Sequence, residues 1–201
     1  MTKYAEPFHS AQTQILQAAA DEFTEKGFAA TSYGGIALRA GTSKGLVQYH
    51  FARKVDLALA LVKAAFEGEV FSPPEGLKEI RGIAAIVRSS KHVSQNLVSD
   101  PFARAAMRII DEGPRLAPGL PVPYVGWIRQ AEIFLQQAID DEEIAPLADI
   151  PLAAWLLVAG AYGAEHVAAT VGELAELPRY TFAMLRLQLM GLGVKDLDSY
   201  L

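Results

Sequence analysis

Few side chains in this 201-residue sequence are spaced for catalysis or for metal binding. The four histidines, His9, His50, His92 and His166, lie far apart in the chain and lack the spacing of metal ligands. The acidic run at 140–143 stands at a predicted helix end, where a solvated cap is a simpler interpretation than a carboxylate pair. The chain has no cysteine, which removes disulfides, thiolate ligands and thiol nucleophiles. We therefore expect no enzyme activity, no metal site and no cofactor.

The charge of the chain is unevenly distributed. Residues 1–54 contain six basic and four acidic side chains, a net charge of +2, whereas the whole chain carries −5 and the remainder therefore −7. A mildly basic segment joined to an acidic one allows one end to approach a polyanion while the rest keeps the molecule soluble. This asymmetry is compatible with a nucleic-acid partner.

The N-terminal segment has the periodicity of three short helices. The first is predicted over 10–26, and Gly27 is typical of the residue that follows a helix. A second is predicted over 32–40 and a third up to about residue 50, with Gly41 between them. The predicted capping residues are Thr31 or Ser32 for the second helix and Thr42 or Ser43 for the third. Two short helices around a glycine turn indicate a helix-turn-helix.

The rest of the chain is also predicted to be helical. The expected helices cover 54–71, 76–98, 101–112, 123–141, 149–171 and 178–192. Four prolines and two glycines predict an irregular loop over 112–123. The fold class is therefore all-α, with a helix-turn-helix head at 1–53 and a helical ligand-sensing and dimerisation domain at 54–201. No long apolar run or secretory signal is recognisable, so we expect a cytoplasmic protein without a membrane segment.

Residues 12–59 closely resemble the DNA-binding head of the TetR family of transcriptional regulators. The shared features include Ile15, Ala19, Phe23, Lys26-Gly27-Phe28, Thr31, Ile36-Ala37, Ala40-Gly41, Ser43-Lys44-Gly45, His50-Phe51 and Lys54. The predicted core of the head consists of Ile15, Phe23, Phe28, Ile36, Val47 and Phe51. The resemblance implies a protein that binds double-stranded operator DNA.

The resemblance also implies three groups of DNA contacts. Thr31 and Ser32 would bind a phosphate through hydroxyl and backbone N–H groups. The residues expected to face the major groove are Thr42, Ser43, Lys44, Leu46 and Gln48, with Gly45 allowing close approach to the duplex. Tyr49, His50 and Lys54 would hold flanking phosphates.

Gln48 departs from the pattern, because the family usually has a tyrosine at this position. Its amide both donates and accepts hydrogen bonds. Gln48 therefore either reads an adenine or replaces a phosphate contact, and the sequence leaves both roles open.

The C-terminal part resembles the γ-butyrolactone-receptor branch of the family in the segments 108–119, 125–147, 158–171 and 176–180. That branch uses a tryptophan at the position of Trp127 to line a pocket for lipid-like autoregulators. The further candidates for ligand contact, which supply walls, amide groups or small side chains, are Met107, Gln130, Leu157, Gly160, Ala161 and Tyr162. We expect a small, largely apolar ligand that acts as an inducer.

A homodimer is expected, because one recognition helix buries too little surface for specific DNA binding. The candidate interface is formed by the helices at 149–171 and 178–192, with Leu185, Leu189 and Leu192 on one stripe. The predicted function is therefore a repressor that the ligand releases from its operator. The alternative keeps the DNA-binding head but has a solid dimerisation scaffold, controlled by a protein partner or by expression level alone. A cavity lined by Trp127 and residues 157–164 would distinguish the two.

Overall fold

The structure is a computed structural model that describes residues 11–65, 79–116, 120 and 123–201. Among these residues, the regular elements are all helices. The helices are α1 (Ala11–Ala30), α2 (Tyr33–Arg39), α3 (Lys44–His50), α4 (Lys54–Ala65), α5 (Gly82–Ser99), α6 (Pro101–Leu116), α7 (Pro123–Asp140), α8 (Ile150–Val171) and α9 (Leu177–Gly191). Short 3₁₀ turns lie between α8 and α9, at Leu174–Glu176, and after α9, at Leu197–Ser199. The all-α prediction is confirmed.

The chain divides into two compact units. The first combines Met1–Val70 with Asp100–Val122, and the second combines Phe71–Ser99 with Pro123–Leu201. In the first unit α6 packs against α1 and α4, so it is part of the same compact body as the helix-turn-helix. The sequence predicted a boundary at residue 53 between a DNA-binding and a ligand-sensing part. The compact units do not test a boundary of that kind, so it stays a prediction.

The core of the first unit contains the six residues predicted for it. Ile15, Phe23, Phe28, Ile36, Val47 and Phe51 are all buried. Leu57 and Leu61 of α4 and Ile109 of α6 are also buried in this unit. Apolar burial is the dominant favourable term in folding, so these side chains set the angles between the short helices.

Two serines begin the short helices of the head. The Ser32 hydroxyl oxygen accepts the Gly35 N–H at 3.2 Å, and the Ser43 oxygen accepts the Leu46 N–H at 3.1 Å. Each serine thereby satisfies one of the N–H groups that a helix start leaves without an intrahelical partner. Gly41, in the turn, has a φ of 63° that favours glycine.

In the second unit, α7 packs against α5 and α8, and α9 packs against α5 and α8. Its core includes Ile83 of α5, Leu135 of α7, Leu157 of α8, and Leu185 and Leu189 of α9. Asp149 begins α8 by accepting the Leu152 N–H at 2.9 Å, and Gly172 ends it. This unit is therefore a four-helix arrangement with its own apolar core.

Two predicted boundaries need comment. The loop predicted from residue 112 is wrong at its start, because α6 continues to Leu116. The Glu112 side chain is held by α1, so tertiary contacts favour a longer helix than the glycine and proline content indicates. Residues 66–71 and 76–78, which were predicted to be helical, lie outside the described residues.

Candidate nucleic-acid interface

The exposed face of α3 is the first part of the candidate interface. Lys44, Gly45, Gln48 and Tyr49 are exposed, and at 100° per residue they form one continuous strip of the helix. Val47 lies on the opposite side and is fully buried. A Cβ atom added to Gly45 would meet only the Ser43 oxygen, at 3.9 Å, so the fold itself does not require glycine there. The packing of Val47 therefore directs this polar strip outwards.

The neighbouring predicted contact residues are less exposed. Thr42, Leu46 and His50 are half-buried, whereas Ser32 and Ser43 are exposed at the two helix starts. The Tyr49 ring stands edge-on to the His50 ring, with 5.4 Å between centroids. The structure therefore brings most of the predicted contact residues to one side of α3 and the starts of α2 and α3.

Thr31 is a correction to the predicted phosphate contacts. Its side chain is buried, and its hydroxyl donates to the carbonyl oxygens of Gly27 at 2.7 Å and Glu22 at 3.1 Å. The Thr31 N–H also points to the Gly27 carbonyl, at 3.3 Å. Because both donors are used inside the head, Thr31 fixes the end of α1 and does not bind a phosphate.

Lys54 is a second correction. Its ammonium donates to the carbonyl oxygens of Phe28, Ala29 and Thr31 at 2.6, 3.2 and 3.0 Å. It also lies 4.7 Å from the centroid of the Phe28 ring, and burial lowers the pKa of this lysine. All three ammonium donors are therefore engaged at the C-terminal end of α1, where a cation is favoured by the helix dipole. Lys54 caps α1 and is not available to hold a phosphate.

A buried carboxylate joins α1 to α2. The Glu22 side chain is 4% exposed, and it is paired with the Lys26 ammonium at 2.8 Å and the Arg39 guanidinium at 3.3 Å. A Cβ atom on Gly35 would lie only 2.7 Å from a Glu22 oxygen, so glycine allows the close approach. Arg39 also forms a salt bridge with Glu25, and this hydrogen bond is the largest cause of its raised pKa. This network fixes α2 on α1.

Lys44 differs from the other basic side chains in the described part of the head. Lys26 and Arg39 are paired with acids, Arg53 pairs with Asp56 at 2.6 Å, and Lys54 is bound to carbonyl groups. Within residues 11–54, Lys44 alone among the lysines and arginines has no partner in the structure. The first residue of α3 therefore carries an exposed positive charge that no group among the described residues compensates.

Tyr33 also supports the turn between α3 and α4. Its hydroxyl donates to the Phe51 carbonyl at 2.7 Å, and the Asp56 carboxylate accepts the Arg53 N–H at 3.2 Å. Burial, followed by the nearby Asp56 charge, raises the pKa of the Tyr33 phenol. The phenol therefore remains a neutral donor that ties α2 to the end of α3.

The second unit contains an aromatic group from α7 and α8. Tyr124 stands edge-on to Trp127, with 5.9 Å between centroids, and edge-on to Tyr162, with 5.1 Å. Tyr162 in turn lies 5.7 Å from the His166 ring. Trp127, Gln130, Ala161 and Tyr162 are half-buried. The structure thus brings Trp127 and Tyr162 together through Tyr124, which was not predicted as a site residue.

Three other predicted ligand contacts are buried or closely packed within their own units. Leu157 is buried in the core of the second unit, and Met107 is buried in α6 of the first. The space beside Gly160 is filled by α9, because an added Cβ would lie 2.5 Å from Gln188 Nε2 and 3.0 Å from Met184 Sδ. Gly160 therefore allows close packing of α9 on α8 at this position, and its predicted contact with a ligand stays a prediction.

Three charged residues that tie α1 to α2 or to α6 were not predicted from the sequence: Glu22, Arg39 and Glu112. A signal for Glu22 exists, because it follows Ile15 and Ala19 at the spacing of the buried stripe of α1. Glu112 accepts a hydrogen bond from a residue 84 positions away, and no local pattern announces such a pair.

The fold and this interface define a helix-turn-helix DNA-binding regulator. Residues 15–61 match the family model described as bacterial regulatory proteins, tetR family, and residues 80–194 match that described as tetracyclin repressor-like, C-terminal domain. The chain belongs to the TetR family of bacterial regulatory proteins. Membership of this family agrees with the prediction of a regulator rather than an enzyme.

Three relatives indicate where the chain stands within the family. The A-factor receptor protein of Streptomyces griseus is 28% identical over 163 residues, which cover 81% of this chain and 56% of that receptor, so the chain spans little more than half of its length. A solved γ-butyrolactone receptor, an ArpA-like protein, is 25% identical with a TM-score of 0.67 over 90% of this chain and 97% of that one. SmeT, the repressor of a Stenotrophomonas maltophilia multidrug efflux pump, is 27% identical with a TM-score of 0.74 over 94% and 92%.

Lys44→Ala is expected to weaken operator binding and to lower the magnitude of its salt dependence by about 0.9 in the log–log slope, the value of one phosphate contact. Thermal stability should not change, because the side chain is exposed and unpaired. Fluorescence anisotropy at several salt concentrations measures this slope. Lys91→Ala removes an exposed lysine of α5 as the control. Equal slopes for the two variants would contradict the role assigned to Lys44.

Lys54→Met keeps most of the aliphatic stem but removes the three hydrogen bonds to carbonyl groups. We expect the free energy of unfolding to fall by about 2 kcal/mol, the scale of hydrogen bonds to a charged group. The salt slope of the folded fraction should stay as in the wild type. Urea unfolding gives the first quantity, with Lys63→Met, exposed on the same helix, as the control. A lower salt slope with unchanged stability would restore the phosphate role.

Proposed function

We propose that the protein is a cytoplasmic, dimeric transcriptional repressor that a small, largely apolar ligand releases from its operator. The observation that carries the proposal is the outward polar strip of α3, in which Lys44 is the basic side chain without an internal partner. The major groove is wide enough to admit one α-helix, and residues near the start of a recognition helix contact base edges. Lys44 and Gln48 lie one turn apart on that strip and would therefore face the same groove.

Dimerisation is supported by apolar side chains that the single chain leaves exposed. On α8 these include Leu152, Trp155, Leu156 and Val167, and on α9 they include Phe182, Leu187 and Met190. Large apolar side chains exposed in this number on two neighbouring helices favour an interface. A second copy that presents the same two helices would cover it and give a four-helix interface.

The α9 side of this interface differs from the predicted one. Leu185 and Leu189 are buried inside the second unit, and Leu192 packs against the same core. The exposed residues of α9 lie on another face, with Leu187 70% exposed. The predicted leucine stripe therefore belongs to the core, whereas the choice of α8 and α9 as the dimer helices stays our proposal.

The apolar character of α8 has a second interpretation. This 22-residue helix has a window of mean hydropathy 1.3, of which 17% is buried, and is long enough to cross a membrane. One such helix is weak evidence for a span, and α8 packs against α7 and α9 in the second unit. A partner protein surface explains both the exposure and the packing, so we assign α8 to the dimer.

The ligand class is supported by the aromatic group around Trp127. Its rings would supply an apolar wall, and the half-buried amide of Gln130 would supply a polar group. Similarity to the A-factor receptor and to a γ-butyrolactone receptor favours a lactone with an acyl chain over a charged metabolite. The same similarities favour this function over a regulator without a ligand pocket.

Release would occur by a shift in population. A ligand that binds more tightly to a conformation with displaced recognition helices lowers the population that fits successive major grooves. The requirement is differential affinity for the two conformations, because equal affinity shifts nothing.

The function is tested by binding and release of DNA. The full chain is incubated with the DNA upstream of its own coding sequence, and with duplexes selected from a random library, in a gel-shift assay. We expect one selected sequence to bind specifically and an acyl-substituted γ-butyrolactone to release it, whereas the ring-opened hydroxy acid should be far weaker. Failure to select any sequence would contradict the DNA-binding role, and specific binding without release by the lactone would contradict the ligand class.

Leu187→Asp is expected to convert the dimer to a monomer that remains folded. An exposed leucine contributes little to the single chain, but its replacement places two charges in the proposed apolar interface. Sedimentation velocity gives the mass. Val125→Asp, which changes a 65% exposed residue of α7, is the control and should leave the dimer intact. A dimeric Leu187→Asp variant would exclude this face.

Trp127→Ala is expected to bind the operator with wild-type affinity. The lactone concentration needed for half-release should rise about tenfold or more, because an aromatic wall of the proposed pocket is removed. Titration of the lactone into the preformed DNA complex measures the half-release concentration. Ile133→Ala is the control, since this 44% exposed residue of α7 lies outside the aromatic group and outside the proposed dimer face. Unchanged release by Trp127→Ala would place the ligand elsewhere.

A further inference from the structure

α1 is interrupted shortly before it reaches the helix-turn-helix. Gly27 has φ 75° and ψ 176°, outside the helical region, although helical turns precede and follow it. This conformation is strained for any residue with a side chain. The break leaves the N–H group of Phe28 without a helical partner, so the chain must satisfy it by another group.

The partner of that N–H group is a carboxylate of α6. The Phe28 N–H donates to Glu112 Oε2 at 2.8 Å, and Arg108 holds the other carboxylate oxygen at 3.2 Å. A Cβ atom on Gly27 would collide with both oxygens of Glu112. A side chain at position 27 would therefore displace the Glu112 carboxylate, and the positive φ separately favours glycine.

The segment that Glu112 holds leads directly into the DNA-binding elements. Its carbonyl groups are bound by the Lys54 ammonium and by the Thr31 hydroxyl, and Ser32, the capping residue of α2, follows at once. Of the groups that hold this segment, Glu112 belongs to the helix most distant in sequence. A displacement of its carboxylate would release Phe28 and change the start of α2.

We propose that Glu112 is a positioning residue for operator recognition: its carboxylate, through Phe28 and Gly27, sets the placement of the helix-turn-helix on the DNA. The proposal rests on the proposed DNA-binding function and adds to it a residue that touches no DNA. Reach, rather than charge, is the essential property. A glutamine keeps the acceptor oxygen at the same distance, whereas an aspartate keeps the charge but is one methylene too short.

The test compares Glu112→Gln and Glu112→Asp in the full-length protein. Affinities are measured by anisotropy for a duplex that the wild type selects from a random library and for a scrambled duplex of equal composition. Misplaced recognition helices lose base contacts but keep non-specific phosphate attraction. The readout is therefore the specificity ratio, which is the dissociation constant for the scrambled duplex divided by that for the selected duplex. Both dissociation constants are corrected for the fraction of active protein, so that a smaller folded fraction in a variant does not change the ratio.

We expect Glu112→Asp to lower the specificity ratio about tenfold, the scale of one lost hydrogen bond to a charged group, and Glu112→Gln to keep it within about threefold. Asp141→Asn, which removes the charge of an exposed carboxylate that is likewise paired with an arginine, is the control and should leave the ratio unchanged. Backbone amide exchange at Phe28 should be faster in Glu112→Asp alone.

A wild-type ratio in Glu112→Asp would overturn the proposal, as would a loss in Glu112→Gln that Glu112→Asp does not share, since charge would then be the cause. A wild-type protein that selects no sequence would instead overturn the proposed function together with this inference. A tenfold loss confined to the shorter side chain supports it.

Discussion

The DNA-binding interface depends on how the chain satisfies the broken end of α1. At Gly27 the helix stops and restarts, which leaves backbone groups that need partners within the protein. Lys54 supplies donors for the carbonyl groups, Thr31 supplies a hydroxyl, and Glu112 supplies an acceptor. Side chains from α4, from α6 and from the turn before α2 therefore hold the backbone of residues 27–31. The start of α2 follows this segment and is placed by it.

This constraint also decides which charges are available to DNA. Lys54, Arg39 and Lys26 are used to hold the head together, and their positive charge is compensated by carbonyl groups or carboxylates. Lys44 remains outside these networks, at the first position of the recognition helix. A small net charge in the head would therefore suffice for the proposed function, because the uncompensated charge lies on the face of α3 that we propose to enter the groove.

The second unit follows a different principle, in which helices are apolar on more than one face. α9 buries Leu185 and Leu189 in the core and exposes Phe182 and Leu187 on another side. α8 has a small residue, Gly160, at its contact with α9. An isolated chain with these helices would expose apolar surface to water, and a second copy would remove it.

Local patterns in the sequence determined the helices and placed the cap of each short helix on one of two neighbouring residues. Together with the family resemblance, they also identified the six-residue core of the head and the positions of Lys44 and Gln48 on the outward strip of α3. Each of these depends on neighbouring residues or on helical period, which a single sequence displays. Tertiary structure alone decided the roles of Lys54 and Thr31, the face of α9 that meets the core, and the contact of Glu112 with Phe28. These depend on which polar groups meet across long separations, and a lysine that caps a helix has the same sequence signature as one that binds a phosphate.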